Sequence, residues 1–153
     1  MDILFEVVVH PFGKGFLTLD GAQYSPEIAG IDNAYTAIET VEVYLPLGQL
    51  VEVEFGLTGA IKSSDTLEDV NWKWQVSDNG VDWQDLIAEQ VRVASAVAYA
   101  DVTCSGRFAP TGNFLGKSPK FYVRMVVKSA TTGGETAAGK SKNSSYIRLV
   151  YRI

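Results

Sequence analysis

The sequence has 153 residues, of which 46% are hydrophobic and 20% are charged, a balance that is ordinary for one globular domain and excludes wholesale disorder. No apolar run approaches the ~20 residues that a helix needs to span a bilayer. The acidic residues Asp2 and Glu6 stand where a signal peptide carries basic ones, so we expect a protein that stays in the cytosol of its producer. The single cysteine, Cys104, excludes an internal disulfide, and we interpret it as a buried structural thiol.

Charge is distributed unevenly along the chain. Residues 1–100 contain 16 acidic and four basic residues, whereas residues 101–153 contain two acidic and nine basic ones. Two arrangements explain this pattern, and the sequence leaves both open. Either strands from the two parts interleave and the charges pair within one molecule, or an acidic and a basic face support head-to-tail assembly or docking on a charged lattice. The net charge of −5 argues against nucleic acid as the main partner.

The chain begins with a strong strand signal. Ile3–Val9 is rich in β-branched and aromatic residues, and Gly15–Leu19 is a shorter run of the same kind, so we predict a strand at each. Residues 20–37 contain glycine, proline and asparagine with little periodicity. We predict a long surface connection there.

The next segment has the pattern of a hairpin. Thr40–Leu45 and Gln49–Phe55 both alternate apolar and polar residues, and the turn sequence Pro46-Leu47-Gly48 separates them. A register that pairs Val43 with Val51 gives the hairpin an apolar inner face.

The same register has an electrostatic consequence. It sets Glu42 opposite Glu52, with Glu54 close by. Because like charges that face each other destabilise a strand pair, we expect a Lys or Arg from a neighbouring strand beside them. A bound cation or the basic surface of a partner is the alternative.

A tryptophan-bearing strand and a turn come next. Val70–Val76 places Trp72 and Trp74 on one face, where we expect them in the core. Ser77-Asp78-Asn79-Gly80 is a strong turn signal, and the return strand is predicted to begin at Val81-Asp82-Trp83.

The remaining segments give both strand and loop signals. The strand predictions are Val91–Tyr99, where alanines also leave a helix open, Phe121–Lys128 and Ser145–Ile153; the other predictions are one helical turn at Asp85–Gln90, a loop-rich stretch at Gly106–Ser118 and a mobile loop at Ser129–Ser144. About eight short strands with turns between them, and no amphipathic helix, predict an all-β fold. We expect residues 1–153 to form a single antiparallel β-sandwich of the jelly-roll or immunoglobulin-like type, with a flexible loop at about residues 129–144.

One segment matches a nucleotide-binding motif. Gly134–Ser141 fits the phosphate-loop pattern G-x-x-x-x-G-K-[ST]. That site needs a helix directly after it, whose N-terminus holds the phosphates. The rest of the chain, Lys142–Ile153, ends in period-two alternation and leaves no room for a helix and further parallel strands. We interpret the match as accidental. A nucleotide-hydrolysis assay with Lys140→Ala as its control tests this interpretation.

The sequence offers little to catalysis. His10 and Cys104 are single and far apart, so zinc and iron–sulfur sites lack ligands. No Gly-x-Ser-x-Gly turn supports a serine nucleophile. Glu42, Glu52 and Glu54 are more simply a solvated strand face than a pair of glycosidase carboxylates. We therefore predict no catalytic residue, no metal, no cofactor and no enzymatic activity.

A ligand site at the predicted turn is a second interpretation. Asp78, Asn79, Asp82 and Asp85 could offer oxygens to calcium, although their spacing differs from the EF-hand pattern and Asp and Asn are also what a tight turn needs. Trp83 follows the turn, where it could anchor a sugar or a neighbouring molecule. Core packing is the plainer interpretation of Trp83.

Three segments carry a resemblance. Trp72–Trp83, with its two outer tryptophans and Ser-Asp-Asn-Gly turn, together with Phe121-Tyr122-Val123-Arg124 and Tyr146-Ile147-Arg148-Leu149, resembles immunoglobulin-like and jelly-roll domains of bacterial surface proteins and phage virions. Discoidin-type sugar- and lipid-binding sandwiches are similar too. Within this group the chain most resembles phage capsid decoration proteins.

That resemblance implies a function and partners. Such proteins sit on the lattice of a major capsid protein, often as homo-oligomers, and reinforce the contacts between capsomers, so the expected location is the virion, after synthesis in the host cytoplasm. The expected contact residues are Met1, Asp2 and Ile3 at the N-terminus and Lys140 and Lys142 in the basic loop. No membrane or nucleic-acid partner is expected. Deleting residues 130–143 is expected to weaken lattice binding at an unchanged melting temperature.

The competing interpretation is a carbohydrate-binding or adhesion module. It predicts an exposed aromatic side chain and saturable glycan binding, with Trp83, Asp78 and Asp82 as the ligand-binding residues.

Overall fold

The computed structural model of the chain describes residues 3–10, 28–31, 34–44, 49–63, 67–95, 97–109, 120–129, 137–141 and 145–152. All regular secondary structure within these ranges is β-strand, and no helix long and apolar enough for a membrane span occurs in them. The strands in chain order are β1 (Leu4–Val9), β2 (Ile28–Ile31), β3 (Thr36–Tyr44), β4 (Gln49–Ser63), β5 (Leu67–Ser77), β6 (Gln84–Asp85), β7 (Gln90–Ser95), β8 (Ala100–Phe108), β9 (Lys120–Ser129), β10 (Ala137–Ser141) and β11 (Tyr146–Arg152).

The strands form two antiparallel sheets. The first has the order β1-β11-β4-β10-β2, with β8 also paired to β4, and the second has the order β3-β9-β5-β6, with β7 also paired to β5. The long strand β4 organises the first sheet, because one of its edges pairs with β11 and then with β10, while the other edge pairs with β8. The predicted all-β antiparallel sandwich is confirmed.

Alternating side chains from both sheets fill the space between them. Trp72 and Trp74 of β5 are 6% and 0% exposed, so their predicted core position is confirmed. Trp74 lies opposite Met125 of β9, and Leu57 and Leu149 belong to the same cluster. Burial of such side chains stabilises the fold by roughly 1.5–3 kcal/mol each.

The predicted hairpin between β3 and β4 is wrong. These strands belong to different sheets, so Val43 lies opposite Phe121 of β9, whereas Val53 lies between Leu149 and Phe108. Both strands still turn apolar residues towards the same core. An alternating pattern fits a strand that pairs with its neighbour as well as one that faces it across a sandwich.

The acidic residues of the two strands nevertheless have the cations that were expected. The Lys120 Nζ atom lies 3.0 Å from Glu42, Arg107 lies 4.0 Å from Glu52, and Arg148 binds Glu54. Hydrogen bonds from Lys120 and Tyr44 lower the pKa of Glu42.

These pairs also explain the uneven charge of the sequence. Glu6–Arg148 and Glu89–Lys128 follow the same rule, in which an acid of residues 1–100 meets a base of residues 101–153. Since strands of the two parts are neighbours in both sheets, the interleaved arrangement is the one observed for these charges.

The structure has strands in several segments that were predicted to be loops or a helical turn. Strand β2 lies inside the predicted connection at 20–37, β8 extends into the predicted loop that begins at Gly106, and β6 replaces the start of the helical turn predicted at Asp85–Gln90. The predicted strand Gly15–Leu19 lies outside the described residues.

Part of the mobile loop predicted at residues 129–144 is in fact strand β10. Its residues pair with Gly59–Ser63 of β4, and an added Cβ on Gly139 would lie 2.6 Å from Ile38. The last five residues of the phosphate-loop pattern are therefore strand, and a larger residue at Gly139 would have to displace the end of the Ile38 side chain. Deletion of residues 130–143 would remove β10, so we now expect a clear loss of stability rather than an unchanged melting temperature.

Candidate functional site

Strand β1, at one end of the first sheet, presents apolar side chains to solvent. Among the described residues β1 pairs only with β11, and Ile3, Leu4, Phe5 and Val8 are between 39% and 57% exposed. We call these residues and the Glu6 between them the β1 edge. An open strand edge with apolar side chains is a surface on which another β-strand can add.

The β1 edge is fixed in the sheet by contacts with β11. Glu6 lies opposite Val150 and forms an ion pair with Arg148 at 3.3 Å. The Phe5 ring stacks on Tyr151 with 5.5 Å between ring centroids. The strand is thus ordered by its inner neighbour while much of its apolar surface remains in water.

A second apolar edge belongs to the other sheet. In the described part of the chain β7 pairs only with β5. Val91 and Val93 are 58% and 57% exposed, and the exposed residue Arg92 lies between them. We call these three residues the β7 edge.

The two edges lie on opposite sides of the sandwich. In the first sheet, β1 and β11 extend from one edge of β4, and β8 pairs with the other edge. Strand β7 contacts β8, whereas β3, at the far end of the second sheet, contacts β10. The β7 edge is therefore below β8, away from β1.

The outer face of the second sheet carries cations that are already engaged. The Arg124 guanidinium lies 3.9 Å from the centroid of the Trp83 ring, and its Nε donates to Gln75 at 2.9 Å. Partial burial lowers the pKa of Arg124. One side of the half-buried Trp83 ring is thus occupied by a side chain of the same molecule, a contact worth roughly 0.5–2 kcal/mol.

A second group on this face holds Asp85. Lys73 lies 3.1 Å and Gln75 3.0 Å from its carboxylate oxygens. Although desolvation raises the pKa of Asp85, the hydrogen bonds from Gln75 and Lys73 together lower it. Lys73 also lies 4.7 Å from the centroid of the Tyr35 ring.

The predicted ligand residues Asp78 and Asp82 belong to one turn that Asn79 organises. The Asn79 side-chain oxygen accepts hydrogen bonds from the backbone of Val81 and of Asp82, both at 2.8 Å, and its Nδ2 donates to the Asp82 carboxylate. Gly80 has φ of 77°, a conformation that favours glycine. Within the described ranges no three His, Cys, Asp or Glu side chains are grouped to hold a metal.

The outer face of the first sheet has an open pocket of about 260 Å³. Its floor is Gly56, and the Tyr146 ring lies against that glycine, where an added Cβ would overlap the ring. Thr58, Thr103 and Ser105 supply hydroxyl groups around it.

The Cys104 thiol contributes to this pocket from below. It packs against the core, and burial raises its pKa to about 12. Such a thiol is a poor nucleophile because the thiolate is the reactive form. The interpretation of Cys104 as a structural thiol agrees with this position.

The predicted contact residues are dispersed. Ile3 lies on the β1 edge, whereas Lys140 lies in β10 opposite Ala60, a paired strand instead of a loop. Met1, Asp2 and Lys142 lie outside the described residues. The roles of all five in binding remain predictions.

Sequence reasoning missed most of the two apolar edges. The available signal was the nearly unbroken apolar run Ile3–Val9, which contains a single charge. Such a run fits a strand covered on both faces, yet the structure places it at the end of a sheet.

Comparisons with known proteins add a likeness of fold. No protein-family model matches the sequence, and no curated protein matches it either. A chain in the structure of infectious bursal disease virus Gt strain has a TM-score of 0.46 and 8% identity over 98% of this chain and 33% of that one. This chain thus spans about one third of the viral chain. The C-terminal domain of EclA, a sugar-binding protein, gives 0.45 and 18% over 90% of this chain and 86% of that one.

A third structure, described as CBM4, gives a TM-score of 0.36 and 14% identity over 91% of this chain and 86% of that one. At these identities and scores the likenesses concern the β-sandwich fold and carry no information on function.

Proposed function

We propose that this chain is a non-enzymatic structural protein of a virion, a capsid decoration protein that stabilises a phage head through repeated contacts with the major capsid protein and with copies of itself. The observation that supports this function is the pair of apolar edges, β1 and β7. They stand out on a surface where acids of residues 1–100 pair with bases of residues 101–153 within the molecule.

The physical case rests on exposed apolar area and on symmetry. Large side chains that stay in water on an open strand edge gain free energy when a partner covers them. A contact of modest strength becomes effective on a capsid because the lattice repeats it many times. The two edges are the places in the described part of the chain where several exposed apolar side chains lie along one unpaired strand edge.

The test is sedimentation with particles. Capsid particles from the cells that make the chain are separated on a density gradient, and the chain is located by mass spectrometry. We expect the wild type to band with the particles and Leu4→Lys/Val8→Lys to remain near the top of the gradient.

The control is Val81→Lys, which adds a positive charge at an exposed valine of the Asn79 turn and should band like the wild type. A wild-type chain that never enters the particle fraction would overturn the proposal.

A second candidate function is carbohydrate binding, favoured by the pocket at Gly56. A tyrosine ring beside three hydroxyl side chains is a combination that suits a sugar. The partly exposed Trp83 offers a second aromatic contact, although Arg124 covers one side of its ring.

A glycan array distinguishes the two sites. Thr103→Arg, on an exposed position of β8, fills the pocket, and Trp83→Ala removes the other aromatic. Saturable binding that Thr103→Arg abolishes would establish the pocket as a sugar site. The absence of any glycan signal from the wild type would remove this candidate.

A further inference from the structure

We infer that copies of this chain join head to tail, with the β1 edge of one copy adding to the β7 edge of the next to form a sheet that is continuous across two molecules. The partner is thus a second copy of the chain. This inference rests on the proposed function, since it names the contact by which the decoration protein would associate with itself.

The positions of the edges fix the type of assembly. Because β1 and β7 lie on opposite sides of the sandwich, one copy can offer β1 to a second copy while its own β7 accepts a third. Such a heterologous contact generates a ring where the rotation closes and a filament where it does not.

One antiparallel register between β1 and β7 pairs opposite charges and also places apolar side chains of the two strands opposite each other. An antiparallel pairing that sets Glu6 opposite Arg92 also sets Phe5 opposite Val93 and Val7 opposite Val91. The exposed acid then meets the exposed base, and Phe5 and Val7 meet the two exposed valines of β7 on one face, while Leu4 and Val8 on the other face lie opposite Ala94 and Gln90. Glu6 has a 59% exposed side chain besides its ion pair with Arg148, so it remains accessible to a second cation.

Symmetric pairings lack this complementarity. Two β1 strands that match Leu4 with Val8 place Glu6 against Glu6 of the other copy. Two β7 strands that match Val91 with Val93 place Arg92 against Arg92. Like charges that face each other destabilise a strand pair, so the charges favour β1 against β7.

A charge exchange tests the contact. Glu6→Arg sets two bases against each other in the proposed register, and Arg92→Glu sets two acids. Each variant should associate about tenfold more weakly than the wild type in sedimentation velocity. The double variant, Glu6→Arg with Arg92→Glu, reverses both charges and should recover association.

A symmetric β1 contact predicts no recovery, because two copies of Glu6→Arg still repel, and that result would overturn the inference. Val93→Lys provides a second route, since it should also prevent association, while Val81→Lys should not. Equal melting temperatures for all variants exclude unfolding as the cause. If the double variant recovers self-association but the wild type does not band with particles, the contact stands and the capsid function is rejected. If the wild type bands with particles but the double variant does not recover self-association, the capsid function stands and the contact is rejected.

Discussion

The Ser145 hydroxyl makes the two hydrogen bonds to the Thr58 backbone that a neighbouring strand would otherwise make. It accepts a hydrogen bond from the Thr58 backbone N–H at 2.9 Å and donates one to the Thr58 carbonyl at 3.1 Å. Thr58 is located where β11 ends and β10 has not begun along β4. One buried side chain thus satisfies both backbone groups at the break in the ladder.

Ser145→Ala should therefore destabilise the fold by about 1–2 kcal/mol, because both Thr58 backbone groups would lose their partner at a half-buried site. Urea unfolding followed by fluorescence measures this change. Ser105→Ala, at an exposed position of β8, is the matched control and should stay within about 0.5 kcal/mol of the wild type. Equal losses for both variants would show that the bridge is unimportant.

Asn79→Ala should destabilise the turn between β5 and β6. It removes the acceptor of the Val81 and Asp82 N–H groups, so we expect a loss of about 1–2 kcal/mol. Asp78→Ala, one residue earlier in the turn, should change the free energy of unfolding by less than about 0.5 kcal/mol. Thermal unfolding of both variants provides the comparison, and a larger effect of Asp78→Ala would contradict this view of the turn.

Asp85 should make part of the stability depend on pH. Its pKa is lowered in the folded chain, so it contributes stability above its ordinary pKa of 3.8, and this contribution disappears as the pH falls through the folded value. Because the side chain is 45% exposed, the contribution is less than about 1 kcal/mol.

Asp85→Asn should lower stability at pH 7 and narrow the difference between pH 7 and pH 3 relative to the wild type. Asp69→Asn, at an exposed position of β5, serves as control. Urea unfolding at pH 7 and pH 3 measures the free energy of unfolding of each protein. An equal change between the two pH values for the wild type and Asp85→Asn would count against this role.

The Cys104 thiol should resist alkylation in the folded chain. With its pKa at about 12 rather than the ordinary 9.0, the thiolate fraction at pH 8 is about a thousandth of that in the unfolded chain. Mass spectrometry after iodoacetamide treatment should find the native protein unlabelled and the urea-unfolded protein fully labelled. Rapid labelling of the native protein would mean that the thiol is accessible and ionised.

The sequence was informative where local pattern decides structure. The alternation around Trp72 and Trp74 and the Asn-Gly turn predicted a strand, its buried face and its end, and all three are confirmed. These features depend on neighbours along the chain. They are therefore visible without knowledge of which strands pair.

Strand pairing was not predictable in the same way. The choice of Phe121 rather than Val51 as the neighbour of Val43 depends on residues far along the chain, and alternation is identical in both cases. Strand β10, Ala137–Ser141, has small residues with little β-propensity and is held by its position between β4 and β2.

The same reason explains the partial prediction of the site. Ile3 was expected to be a contact residue, but Val91 and Val93 resemble core positions until β7 is known to lie at an edge. Exposure of an apolar strand is a property of the whole sheet.

The mass of the wild-type chain in solution tests the central claim most directly. Sedimentation velocity over a wide range of concentration should give a mass that rises in whole multiples of the monomer as the chain is concentrated. A single monomeric species at every concentration would mean that the β1 and β7 edges do not associate, and it would contradict the account.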